Sequence, residues 1–141
     1  MAPLQKRALY SLLIGLCMAA ALVTLFAIKG LSAFDEDTGF RFVIYALWIG
    51  VPVVYLLLIG VIMRKPTQVD ERDRRIIEKS SHTQILGIMF SLVAWVIVLT
   101  EYYRDTSEVP VIFLTLIFIS VLIVSTLAQS LGIFLGYLGD H

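Results

Sequence analysis

Apolar residues in this chain fall into four long runs, 8–28, 42–63, 85–100 and 109–138, and polar residues gather in the gaps between them. A helix needs about 20 residues to cross a hydrocarbon core of about 30 Å. The first, second and fourth runs reach that length. The third is shorter, but the uncharged polar residues 80–84 extend it into the headgroup region. None of the runs alternates with a period of two, which argues against a transmembrane β-barrel. The pattern predicts an all-α polytopic membrane protein: one domain over residues 1–141, a bundle of four transmembrane helices near 8–28, 42–63, 71–100 and 109–138. Lys6 and Arg7 before the first run suggest a signal peptide, but the run is too long for one and is expected to be a retained span.

Composition agrees. The chain is 59% hydrophobic with a mean hydropathy of +0.90, whereas soluble domains are about 45–50% apolar. Net charge is zero, so nucleic acid is not an expected partner. The lone cysteine, Cys17, forms no internal disulfide and reads as a small apolar packing residue.

The basic residues orient the spans. Lys6, Arg7, Arg64, Lys65, Arg72, Arg74, Arg75 and Lys79 fall on one side of a four-span arrangement, and only Lys29, Arg41 and Arg104 on the other. Positive loops stay cytoplasmic. The expectation is a multi-pass protein of the inner (cell) membrane with both termini and the central loop inside. The outer loops are acidic: Asp35, Glu36 and Asp37, then Glu101, Asp105 and Glu108. Phe40, Phe42, Tyr102 and Tyr103 fit an outer aromatic belt.

One stretch is densely charged: "VDERDRRIIEKSSHTQ", residues 69–84. Pro66 ends the preceding helix. Asp70 is a good N-cap, and Glu71 and Asp73 occupy the first turn, where the helix dipole favours anions. Asp70–Arg74, Glu71–Arg75 and Arg74–Glu78 stand at i,i+4. A helix over 71–100 is about 45 Å long, more than the core requires, so its first turns project into the cytoplasm with Ile76 and Ile77 turned toward protein or headgroups. Two readings follow. The extension is a solvated, ion-paired helix end, or it is a docking surface for a partner or for anionic lipid, carried by Asp70, Glu71, Arg72, Arg74, Arg75, Ile76 and Lys79.

Asp70-Glu71-Arg72, then Ile76, then Lys79-Ser80, resembles a D-E-R-x-x-x-I-x-x-K-[A/S] signature that precedes the third helix in small prokaryotic four-helix membrane proteins, a family known only as a domain of unknown function. The resemblance implies a bacterial or archaeal membrane protein and brings no activity, substrate or catalytic residue. Ser81-His82 is more polar than that family's pattern.

Residues 31–45 align with residues 99–113: Leu31/Leu99, Asp37/Asp105, Thr38/Thr106, Val43/Val111 and Ile44/Ile112 are identical. A duplication would make two helical hairpins of one orientation, as in parallel-repeat transporters; chance similarity of apolar sequence is the alternative.

Small residues recur every fourth position at Ser11, Gly15 and Ala19 and at Ala128, Gly132 and Gly136. Small-xxx-small faces let helix backbones approach closely where lipid offers no hydrophobic drive. These faces are expected either to pack the first and fourth spans together or to form a homodimer.

The spans carry no Asp, Glu, Lys, Arg or His at mid-membrane depth, where such residues mark ion paths and proton relays. His82 and His141 lie outside the spans, and no Ser–His–Asp, Cys–His or H-E-x-x-H pattern is present. An enzyme, a metal site and a cofactor are therefore not expected. The acidic loops carry no EF-hand spacing and read as solvated. Ser120, Ser125, Thr126, Gln129 and Ser130 in the fourth span either bond within the bundle or line a narrow polar path. The expected function is a non-enzymatic accessory, regulatory or scaffold subunit that works through its charged helix extension. Its partners are the lipid bilayer, a cytoplasmic or membrane protein, or a second copy. The alternative is a small oligomeric transporter or channel.

Overall fold

The computed structural model describes residues 3–62, 70–106 and 108–139. Within them the chain is helical and strand-free: α1 (Pro3–Lys29), a short α2 (Ala33–Glu36), α3 (Thr38–Ile62), α4 (Glu71–Tyr102) and α5 (Ile112–Gly139). Four of these, all but α2, are long and apolar enough to cross a membrane. The order and number of spans match the hydropathy pattern. The helix-stopping role expected of Pro66 lies outside the described residues.

The helix ends differ from the apolar runs for local reasons. Helix α1 begins at Pro3 rather than Ala8. Proline suits the first helical position, and Leu, Gln, Lys and Arg are good helix formers. Its far end closes on Gly30, at φ 80°. The Gly30 amide donates to the Phe26 carbonyl at 2.9 Å, an αL cap that a side chain would strain. Asp37 starts α3: its Oδ1 accepts from the amides of Gly39 at 2.9 Å and Phe40 at 3.2 Å. Asp70 caps α4 as expected, although it accepts from the first helical amide, Glu71 N, at 2.8 Å. Helix α5 starts at Ile112 rather than Val109, because Pro110 disfavours helical geometry at the residue before it.

Helix α5 is the centre of the bundle. It packs antiparallel to α4 on one side and against α1 on the other, while α3 lies against α1 and α2. At the acidic end a core forms from Leu22, Phe34, Phe40, Ile44, Ile112 and Ile119. Edge-to-face rings tie it together: Phe26 on Phe40 at 5.5 Å, Trp48 on Phe118 at 5.3 Å and Tyr103 on Phe113 at 5.5 Å. Phe40 is therefore a core residue and not part of an interfacial belt, whereas Phe42 and Tyr102 are exposed. A second cluster of Ala8, Ile76, Ile133 and Tyr137 closes the basic end. Large apolar side chains such as Val23, Leu56, Leu86 and Phe90 point outward. In water such surface would be a liability; it is the surface that helices long and apolar enough to cross a membrane would turn to lipid. Cys17 belongs to this exposed surface rather than to the packed interior.

Candidate functional site

The tightest seam between two helices is built from glycines on α5 and α4. A Cβ at Gly132 would stand 2.9 Å from the Ser80 Cα, one at Gly136 would stand 2.8 Å from Ile76 Cγ2, and one at Gly87 on α4 would stand 2.9 Å from the Ala128 Cβ. The Ala128–Gly132–Gly136 face is thus occupied by α4 of the same chain. This corrects the expectation that it faces the first span or a second copy. Gly15 on α1 does approach α5, but it meets Leu127 at 3.0 Å and Thr126 at 4.0 Å, a different face. Ser11 shares a 2.5 Å hydrogen bond with the Tyr55 hydroxyl of α3. Ala19 is half-buried.

Polar side chains reinforce the α4–α5 seam. Gln84 Nε2 donates to Ser125 Oγ at 2.7 Å, and the Trp95 indole donates to Ser120 Oγ at 2.7 Å. Ser120, Thr126 and Ser130 donate to carbonyls of their own helix, on Ile117, Leu122 and Thr126. The hydroxyls of Ser120, Ser125, Thr126 and Ser130 are thus engaged in helix packing and backbone bonds; Gln129 is half-buried beside them. A small cleft of about 100 Å³ lies between α1, α3 and α5, bordered by Gly15, Trp48, Tyr55 and Thr126.

At the basic end an open groove of about 630 Å³ runs between α4 and α5. Arg72, Arg75 and Lys79 stand along one wall, and Gly132, Leu135, Gly136 and Gly139 make the other. The spacing explains the wall: residues three, four and seven apart share one helix face. On that face Ile76 is buried against Gly136, so it is a packing residue and not an exposed docking contact. Ser80, also fully buried, donates to the Ile77 carbonyl at 2.8 Å and lets Gly132 approach. Arg74 lies on another face and pairs with Glu78 at 3.9 Å, while Arg75 pairs with Glu71 at 3.8 Å. Both pairs are exposed, where such contacts contribute about 0.3–0.5 kcal/mol. The Asp70 side chain caps the helix.

Tyr137 anchors the mouth of this groove. Its hydroxyl donates a short hydrogen bond to Asp73 Oδ1, and the Arg72 guanidinium lies 5.7 Å from its ring centroid. Asp73 reads in the sequence as one more first-turn acid, and Tyr137 as the end of an apolar run. Their meeting has no signal along the chain, because they are 64 positions apart. Gly139, on the groove wall, likewise stands outside the every-fourth-residue spacing of small residues.

The acidic end is organised differently. Asp37 Oδ2 lies 3.6 Å from Lys29 Nζ. Its carboxyl is held below the usual carboxylate range, foremost by the Phe40 amide and further by the Gly39 amide and Lys29, against the opposing effect of desolvation. Arg41 donates to the Asp35 carbonyl at 3.2 Å and lies 5.9 Å from the Phe34 ring centroid. Asp35, Glu36, Asp105 and Glu108 are exposed. Among the described residues no group of three His, Cys, Asp or Glu side chains converges as a metal site would need.

Comparison with protein-family models, with curated proteins and with solved structures found no match.

Proposed function

We propose that this chain is an accessory, regulatory or scaffold subunit of the bacterial or archaeal cell membrane, acting through the charged end of α4. The observation that carries this reading is the continuity of α4. Its 32 residues make a rod of about 48 Å, against a hydrocarbon core of about 30 Å. The excess lies at the basic end, where Asp70, Arg74 and Glu78 form an exposed ridge beside the groove. By the positive-inside rule that end is cytoplasmic, together with both termini. A mixed-charge ridge on a rigid helix suits reversible docking, since rim charges set on-rate and partner choice more than affinity.

The test is site-specific photocrosslinking from position 74 or 78 in native membranes, followed by identification of the captured protein. The expected result is one stoichiometric partner whose capture is abolished by Arg74→Glu and restored by a compensating charge on that partner. Capture of nothing, or capture unaffected by charge reversal, overturns the reading. The alternative, a small oligomeric transporter or channel, draws support from the cleft beside Tyr55 and from the proposed two-hairpin repeat. Solute flux in proteoliposomes containing the purified chain tests it.

A further inference from the structure

We propose that the cleft between α1, α3 and α5 binds one monocyclic phenol, with its hydroxyl at Ser11 and Tyr55 and its ring between Met18 and Trp48. The residues that border the cleft all belong to these three helices and lie near the middle of their lengths. The site is therefore separate from the charged end of α4 and independent of the docking reading. Each of the three helices is long and apolar enough to cross a membrane. An occupant reaches the cleft through lipid, past the exposed Pro52 at its rim.

Polarity divides the cleft along its length. At one end the Ser11 and Tyr55 hydroxyls bond to each other at 2.5 Å. Two hydroxyls bring two hydrogens and share one bond, so one O–H donor is left over. Thr126 Oγ1 donates to the Leu122 carbonyl and keeps lone pairs that can accept. Pro52, inside α3, has no amide hydrogen to give the Trp48 carbonyl, which adds a backbone acceptor on the same stretch of helix. Within lipid no water satisfies such groups. A ligand hydroxyl donates and accepts at once, and so meets both needs; a hydrocarbon meets neither.

The other end lies about two helical turns away on both helices, at Met18 of α1 and Trp48 of α3. The Trp48 ring is held edge-on to Phe118 at 5.3 Å. Among the described residues its indole N–H has no hydrogen-bond partner, whereas that of Trp95 donates to Ser120. An aromatic face accepts an N–H donor, and a methionine sulfur also favours an aromatic neighbour. A saturated ring offers neither contact. Size narrows the choice further. The cleft holds about 100 Å³, room for about three waters at about 30 Å³ each. A water needs two to four polar partners, and Ile14, Met18, Val51 and Ile123 supply none. One aromatic ring with one hydroxyl suits both ends.

The experiment is ligand-observed fluorine NMR of 4-fluorophenol titrated against the full chain in detergent, with empty micelles as the blank. Saturable binding of one 4-fluorophenol per chain is expected, at about the millimolar level for a ligand of so few atoms. On the unaltered chain p-cresol should displace it. Toluene lacks the hydroxyl and 4-methylcyclohexanol lacks the aromatic ring; each should compete about fivefold more weakly. Ser11→Ala and Tyr55→Phe singly leave one hydroxyl in place and should bind as the parent does, whereas the double variant should bind about fivefold more weakly. Val51→Phe fills the cleft and should abolish binding with helicity unchanged. Val54→Phe adds the same bulk at an exposed position of α3 and should have no effect. Equal competition by toluene would mark a notch for lipid chains and overturn the proposal. So would equal competition by 4-methylcyclohexanol, uptake no greater than by empty micelles, or full binding by Val51→Phe. The competition series is read on the unaltered chain, so it decides the matter even where a variant fails to fold.

Discussion

Gly132 of α5 lies directly on the backbone of Ser80 of α4: a Cβ on the glycine would stand 2.9 Å from the Ser80 Cα. Backbone cannot step aside as a side-chain tip can. Gly132→Ala should therefore destabilise the folded chain by about 1–3 kcal/mol, and Gly132→Leu by more. Because the contact is within one chain, the loss should appear in the monomer, as a lower melting temperature in detergent. Gly50→Ala is the control. A Cβ there meets nothing within 4 Å, so melting should stay the same or rise. Dissociation of an oligomer by Gly132→Leu, with the monomer fully stable, would contradict the intrachain assignment.

Gln84 and Ser125 bond across the same seam. Hydrogen bonds between membrane helices contribute about 0.6 kcal/mol on average. A double-mutant cycle with Gln84→Ala and Ser125→Ala should give a coupling near that value in a reversible unfolding titration. A coupling of zero would show that the two side chains do not meet in the folded protein.

Tyr137→Phe isolates the hydroxyl bonded to Asp73 while keeping the ring under Arg72. A hydrogen bond to a charged group contributes about 1.5–3 kcal/mol when sheltered. Here Asp73 is only half-buried and can be rehydrated. The expected loss is about 1 kcal/mol, and Asp73→Asn added to the Tyr137→Phe variant should cost little more. Full additivity of the two changes would place the residues out of contact.

Asp37 makes α3 sensitive to acid. Its pKa is lower in the folded protein than the ordinary value because the Phe40 amide, foremost, bonds the carboxylate. A depressed folded-state value means that the stabilisation is present in full above the unfolded pKa of about 3.9. It is lost as pH falls through the folded value. Thermal midpoints measured from about pH 6 down to about pH 2 should therefore fall more steeply below pH ~4 for the parent chain than for Asp37→Asn. Parallel curves would remove Asp37 from the acid response.

Orientation is tested by chemistry from each side. Asp35 is exposed near the end of α1 and Glu78 is exposed on α4. In a Cys17→Ser background, Asp35→Cys should react with an impermeant thiol reagent on intact cells, and Glu78→Cys only after permeabilisation. The reverse pattern would invert the proposed topology.

Hydropathy and charge along the chain determined the number of spans, their order and which ends are basic, because lipid leaves a backbone few options other than a long apolar helix. The start of α4 was equally legible, since a cap is a local bond between Asp70 and its neighbour. Other features depended on which helices meet. The spacing of Ala128, Gly132 and Gly136 announces that a backbone can come close, but it does not say whose. Only packing assigned that face to Ser80 and Ile76 of α4 and gave α1 the side of α5 near Leu127. For the same reason the sequence leaves Ile76 turned toward either protein or headgroups, and packing against Gly136 is what buries it. The groove beside it belongs to no stretch of sequence. It exists because the packing of α4 on α5 sets Arg72, Arg75 and Lys79 of one helix opposite Leu135 and Gly139 of the other.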